Sequence, residues 1–206
     1  MDNEIQEKTK IAILGWGSLL SDRRLEFDQW HEDWQYDGPA LKLEFSRISW
    51  SRRGALALVI DPDDGSPISV AYCTSARSSL ADAISDLRHR EGTSNKRIGW
   101  VDVGEGRVVG RHPETCQTIL AWASAKQINN VIWTDLKSNF KSELDIKFSV
   151  PNAIAHLQGL PPEDKVRAAE YIWRAPSFIE TELRTALEVE PWFAKHEPAE
   201  PAVPGD

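Results

Sequence analysis

Residues Ile11-Ala12-Ile13-Leu14 form an unbroken apolar run that ends in Gly15-Trp16-Gly17-Ser18-Leu19-Leu20, and this stretch constrains the fold more than any other. Four apolar residues in a row, two of them β-branched, predict a strand buried on both faces. The two glycines after it predict a sharp turn with an open backbone. Three successive N–H groups of such a turn can converge on one anion or carbonyl oxygen.

The chain has 206 residues, 41% of them hydrophobic, which is enough for a proper core. The pattern predicts one domain over 10–190. A polar N-terminal tail, 1–9, and a Pro/Glu-rich tail, 191–206, are both expected to be disordered. The net charge of −8, from 24 basic and 32 acidic side chains, disfavours non-specific nucleic-acid binding, which needs a basic face. A small-molecule ligand fits better. The first ten residues are charged, and no run approaches the roughly 18 apolar residues of a membrane span, so neither export nor a membrane partner is expected. Cys73 and Cys116 are the only cysteines. Cys73 lies in an apolar segment and reads as a buried free thiol, which suits a cytoplasmic protein. The five histidines are scattered, with no pair at ligand spacing, so no metal site is expected. Oligomeric state is not legible.

After the glycine loop, Ser21 or Asp22 is placed to cap a short helix. Strands follow at Leu41–Phe45, Ala55–Ile60 and Ile68–Tyr72. The turn Asp61-Pro62-Asp63-Asp64-Gly65-Ser66-Pro67 predicts that the last two form a hairpin. Ser78 or Ser79 caps a helix with Leu80, Ala83, Ile84 and Leu87 on one face, and Gly92 terminates it, leaving Glu91 at or just past its last turn. Further strands are expected at Ile98–Val103, Arg107–Gly110, Thr118–Ala123 and Val131–Trp133. The last third reads as helices: one over Asn152–Leu157, one opened by Pro161-Pro162-Glu163 with Val166, Ala169, Ile172 and Trp173 inward, and one over Ser177–Leu187. The sum is an α+β fold, with the sheet curled into a small barrel, flanking helices and a helical C-terminal part.

Several familiar motifs fail. Leu20 occupies the third glycine's place of a dinucleotide fingerprint, and no alternating βαβ units follow. The loop also lacks the Gly-Lys-Ser/Thr ending of a phosphate loop and the Gly-x-Ser-x-Gly of a serine hydrolase. What it does resemble is specific. Gly15-Trp16-Gly17-Ser18-Leu19, directly after the first strand, is similar to the Gly-Tyr-Gly-Ser-Leu signature of the gamma-glutamylcyclotransferase-like superfamily. In the glutathione-degrading ChaC branch that signature also opens the chain. Val59-Ile60-Asp61-Pro62 with Val70-Ala71-Tyr72 resembles that branch's two strands and the turn between them. Ile48-Ser49-Trp50-Ser51-Arg52-Arg53-Gly54 loosely resembles its arginine- and tryptophan-containing segment. Leu87-Arg88-His89-Arg90-Glu91-Gly92 resembles the helix end that carries the superfamily's catalytic glutamate. Trp16 stands where the signature has tyrosine.

The resemblance implies a gamma-glutamylcyclotransferase-like fold. It makes Glu91 the catalytic acid/base, and Gly15, Trp16, Gly17, Ser18 and Leu19 the loop that cradles a small-molecule γ-glutamyl substrate. The implied reaction releases 5-oxoproline by attack of the substrate's α-amine on its own γ-carbonyl, without metal or organic cofactor. A glutamate near pKa 4.3 facing an amine near 8 leaves a proton-transfer gap of about 3.7 units, on the order of 5 kcal/mol. Burial and a helix C-terminus narrow the gap by disfavouring the carboxylate, and Arg88 or Arg90 widens it if turned toward Glu91. The sign of the net shift stays open at this level. Arg52 or Arg53 is available to a substrate carboxylate. The alternative is a non-catalytic small-molecule or protein-binding module on the same fold, which the loss of the tyrosine hydroxyl at Trp16 favours. A lyase or transferase acting on another acyl compound in the same pocket is a third.

Overall fold

A computed structural model describes residues 9–193, with mixed α and β structure in two sheets. In chain order the elements are β1 (Ile11–Gly15), α1 (Ser18–Ser21), α2 (Leu25–Asp28), β2 (Ala40–Ser49), β3 (Ala55–Ile60), β4 (Ser66–Ser69), β5 (Ala71–Thr74), α3 (Leu80–Arg90), β6 (Ile98–Asp102), β7 (Arg107–Val109), α4 (Pro113–Ala125), β8 (Asn130–Thr134), α5 (Phe140–Leu144), α6 (Val150–Gly159), α7 (Pro162–Trp173) and α8 (Glu182–Leu187). The larger sheet runs β5-β1-β8-β6-β7 and the smaller β3-β2-β4. Neither closes, which corrects the expectation of a barrel.

The buried run at the start is the spine of the larger sheet. β1 pairs antiparallel with β5 and parallel with β8. Its side chains alternate, as a strand's must. Ile11 and Ile13 join Ala83 and Leu87 of α3 in one apolar cluster. Ala12 and Leu14 join the larger cluster, which also takes in the smaller sheet and the C-terminal helices. A strand covered on both faces has no polar positions, hence the continuous run.

β3 and β4 do not form the expected hairpin. Ile60 and Ser66 both pair with Leu43, so the turn between them passes over β2 and sets the two strands on its opposite sides. Gly65 permits this crossing, because a Cβ there would stand 2.4 Å from Asp61 O and 2.8 Å from Leu43 N. The stretch Ile68–Tyr72 breaks at Val70, which bonds to Pro39 O and Gly38 N between the sheets. The segment Thr118–Ala123 is helix, not strand: Cys116, Ile119 and Ala123 are its buried residues in α4, three and four apart. That spacing and Pro113 in the first turn were the helical signals, masked by the apolar run. Ser21 ends α1 rather than opening a helix, and α2 follows Arg24. Val166 faces solvent, while Ala168, Ala169, Ile172 and Trp173 face inward from α7. The last helix starts at Glu182, capped by Thr181. Phe193 is buried against Trp173, so the fold extends past the expected boundary at 191. Most of both expected tails lies outside the described residues.

The C-terminal helix is fastened to the smaller sheet by a carboxylate. Glu44 is fully buried in β2, where its oxygens accept the N–H groups of Phe45 (2.7 Å) and Leu183 (3.3 Å). The nearby Thr181 hydroxyl also favours its charged form. These bonds favour the charged form, but burial outweighs them and raises its pKa to about 7. The folded protein therefore binds this proton where the unfolded chain, with an ordinary glutamate, has lost it. The group's contribution to stability is complete below the unfolded pKa and is lost as pH rises through 7. Urea unfolding at pH 5 and pH 8 should show the protein less stable at pH 8, with about 3 kcal/mol attributable to Glu44. Glu44→Gln should flatten most of that dependence.

Candidate functional site

The glycine loop and the end of α3 meet at one cleft. Gly15 closes β1 and is held by packing, since a Cβ there would lie 2.5 Å from the Trp34 ring. Gly17 is held by its backbone, with φ of +56° and ψ of −129°, a conformation that L side chains rarely adopt. The N–H groups of Gly17 and Ser18 have no acceptor among the described residues. Trp16 and Leu19 are buried, each contributing to a different apolar cluster.

The helix α3 starts at Ser79, whose hydroxyl accepts the Asp82 N–H, and ends with Glu91 at its C-cap and Gly92 at φ +57°. Glu91 thus stands where the sequence places it. Arg90, the last helical residue, ties this end to the loop. Its buried guanidinium donates from Nη2 to Ser18 O (2.9 Å) and Asp22 O (2.7 Å), while Nη1 lies 3.6 Å from Glu91 Oε1. Arg24 donates in turn to Arg90 O at 3.1 Å.

The cleft encloses about 60 Å³. Trp16, Gly17, Ser18 and Leu19 line it together with Glu91. Gly15 does not; it serves the packing beneath the loop. Arg52 stands at the mouth, its guanidinium 4.3 Å from the centre of the Tyr171 ring. Ser18, Arg52 and Tyr171 also line an adjoining cleft of about 460 Å³, together with Arg53, Arg167, Arg174, Asp22 and Glu170. Three polar or apolar walls were not visible in the sequence: Leu58 of β3, Thr134 with Leu136 at the end of β8, and Tyr171 of α7. They lie up to 155 positions from the loop's Trp16 and need the topology to be found. A signal existed only for Arg52.

The electrostatics resolve what the spacing left open. Burial raises the pKa of Glu91 above the usual glutamate value. The positive charges of Arg90, Arg52 and Arg24 oppose that shift without cancelling it. Arg88 takes no part, because its guanidinium donates to the neighbouring His89 ring at 2.8 Å. No group of three His, Cys, Asp or Glu side chains among the described residues is placed to hold a metal ion. Cys73 and Cys116 are free and buried. No described helix is long and apolar enough to cross a membrane.

The two glycines are required for different reasons, and a mutant cycle separates them. Gly15→Ala and Gly17→Ala should each lower unfolding stability by about 1–3 kcal/mol. Adding Trp34→Leu should recover most of the loss for Gly15→Ala and none for Gly17→Ala. Arg90→Lys, which cannot bridge two carbonyl oxygens in the same way, should cost about 1–3 kcal/mol in the same assay.

The chain matches no protein-family model, no curated protein and no solved structure, so the chemistry of these residues is the ground for any function assigned to it.

Proposed function

We propose that the protein is a cyclotransferase of the gamma-glutamylcyclotransferase-like kind, releasing 5-oxoproline from a γ-glutamyl amine or peptide. The observation that carries this reading is that Glu91 lines the same cleft as Gly17 and Ser18, whose N–H groups have no acceptor among the described residues. A base and an oxyanion site in one cleft are what an intramolecular acyl transfer needs.

In this reaction the α-amine nitrogen attacks the γ-carbonyl carbon. Glu91 takes a proton from the amine as the new C–N bond forms, and the loop N–H groups bond to the oxygen as it becomes negative. When the bond from the γ-carbon to the leaving nitrogen breaks, Glu91 returns its proton to that nitrogen. The products are the five-membered lactam and a free amine, with no water consumed. Holding the glutamyl chain folded supplies much of the acceleration, since well-oriented intramolecular attack is worth about 7–11 kcal/mol. The raised pKa of Glu91 narrows the gap to the amine and makes the carboxylate a better base for the proton it takes. The inner cleft suits the glutamyl part, and the wider arginine-lined cleft beyond Ser18, Arg52 and Tyr171 suits the leaving part.

A binding module without turnover is the second reading, favoured by Trp16, which brings no hydroxyl to the cleft and belongs to the core. The test is 5-oxoproline release from a panel of γ-glutamyl amines and peptides, glutathione included. Native protein should release it, and Glu91→Gln should be slower by about 100-fold or more. The acid limb of kcat/KM should fall as pH drops through the pKa of Glu91, with its midpoint above that of an ordinary glutamate. A folded native protein silent on the whole panel rejects turnover and leaves the binding module.

A further inference from the structure

We infer that Thr134 is a substrate-positioning residue whose hydroxyl receives an N–H of the substrate's α-amine; this rests on the cyclotransferase reading of the same cleft. Thr134 is the last residue of β8 and lines the cleft that holds Glu91. In the parallel pairing of β1 with β8, Ile11 faces Asn130 and Ile13 faces Ile132. The same register, carried two residues on, sets Thr134 beside Gly15, where the glycine loop leaves the sheet. The carboxyl ends of two adjacent parallel strands, from which the chain departs into separate connections, are where open α/β sheets hold ligands.

The hydroxyl itself is the second observation. Thr134 Oγ1 has no hydrogen-bond partner in the protein and is closed off from water, so a turn about χ1 is what brings it to a bound amine. Several other side-chain polar atoms are buried and unpaired among the described residues, but none of the others belongs to a residue lining this cleft. Other buried polar side chains are paired, as where Ser46 donates to Asp61 and Asn139 bonds in both directions with Ile48. Native proteins rarely leave a buried hydroxyl unpaired without a use for it.

Donor and acceptor counting fixes that use. The loop N–H groups of Gly17 and Ser18 and the Arg52 guanidinium are donors, matched to the oxygens of a glutamyl substrate. Glu91 is the cleft's charged acceptor and takes the proton that leaves. A desolvated α-amine presents more than one N–H, and Thr134 Oγ1 supplies the further acceptor. Two acceptors on one amine would fix the direction of its lone pair, which attack on the γ-carbonyl requires.

The test compares Thr134→Val, which keeps shape and removes the hydroxyl, with Thr134→Ser, which restores it. Stability of the free protein, binding and turnover are measured for each. Binding uses two non-identical probes, γ-glutamylglycine on the Glu91→Gln background and glutarylglycine, which lacks the α-amine and cannot cyclise. Thr134→Val should melt at or above the native temperature, bind γ-glutamylglycine at least tenfold more weakly and leave glutarylglycine binding unchanged. Thr134→Ser should recover the preference for the amine. If Thr134→Val lowers the melting temperature, or weakens both probes equally or neither, the inference is overturned. If the amine preference is lost as expected and native protein releases no 5-oxoproline, Thr134 keeps its role in binding and the cyclotransferase reading falls.

Discussion

Arg90 is buried at the end of a helix with its guanidinium bound to the carbonyl oxygens of Ser18 in the glycine loop and Asp22 at the end of α1, and the arrangement of the cleft depends on it. Without that clasp, the loop and the helix end are neighbours by packing alone. With it, the loop's position is fixed relative to Glu91, one residue further along the chain. A buried arginine is costly unless its donors are satisfied. Here two backbone carbonyls satisfy Nη2 while Nε stays unpaired, and the charge is held near Glu91 and Asp22 without a fully buried ion pair. Glu91 at 3.6 Å is close enough to feel the charge yet not within hydrogen-bond distance, and its own burial prevails.

The cleft combines groups from distant parts of the chain. The loop after β1 brings unpaired N–H donors, α3 brings the carboxylate, β8 brings an unpaired hydroxyl, and the turn after β2 brings Arg52 against Tyr171 of α7. All but Arg52, which stands on an exposed turn, belong to segments that contribute residues to the core. The chemistry therefore sits on rigid supports, as a preorganised site must. Glu44, in β2 of the smaller sheet and outside the cleft, is a different kind of buried carboxylate. It fastens α8 and titrates near neutrality for structural reasons.

Much of this was legible from local pattern. The run Ile11–Leu14, the helix from Ser79 to Arg90 with its glycine stop, and Glu91 at its end all follow from periodicity and capping, which depend on nearby residues. The strand at Val131–Trp133 was also visible, but its parallel place beside β1 was not, and with it Thr134 was lost. The failures have the same origin. The apolar run at Thr118–Ala123 satisfies either period, and only the covering of α4 on one face decides it. The Asp61–Pro67 turn has hairpin chemistry, yet Leu43 accepts a partner on each side and draws the turn across β2. Open sheets rather than a barrel are likewise a matter of which edges pair, and no stretch of sequence carries that. Gly15 was read as part of the ligand loop, though its reason for being glycine is the Trp34 ring.

The measurement closest to the central claim is the titration of the Glu91 carboxyl by carbon NMR in glutamate-labelled protein, assigned by its absence in Glu91→Gln, with and without 5-oxoproline. The account predicts a pKa above that of an ordinary glutamate and a resonance that moves when the lactam binds. A pKa at or below the ordinary value, unmoved by the lactam, would contradict it: the arginines would outweigh burial, and Glu91 would not face the reacting group.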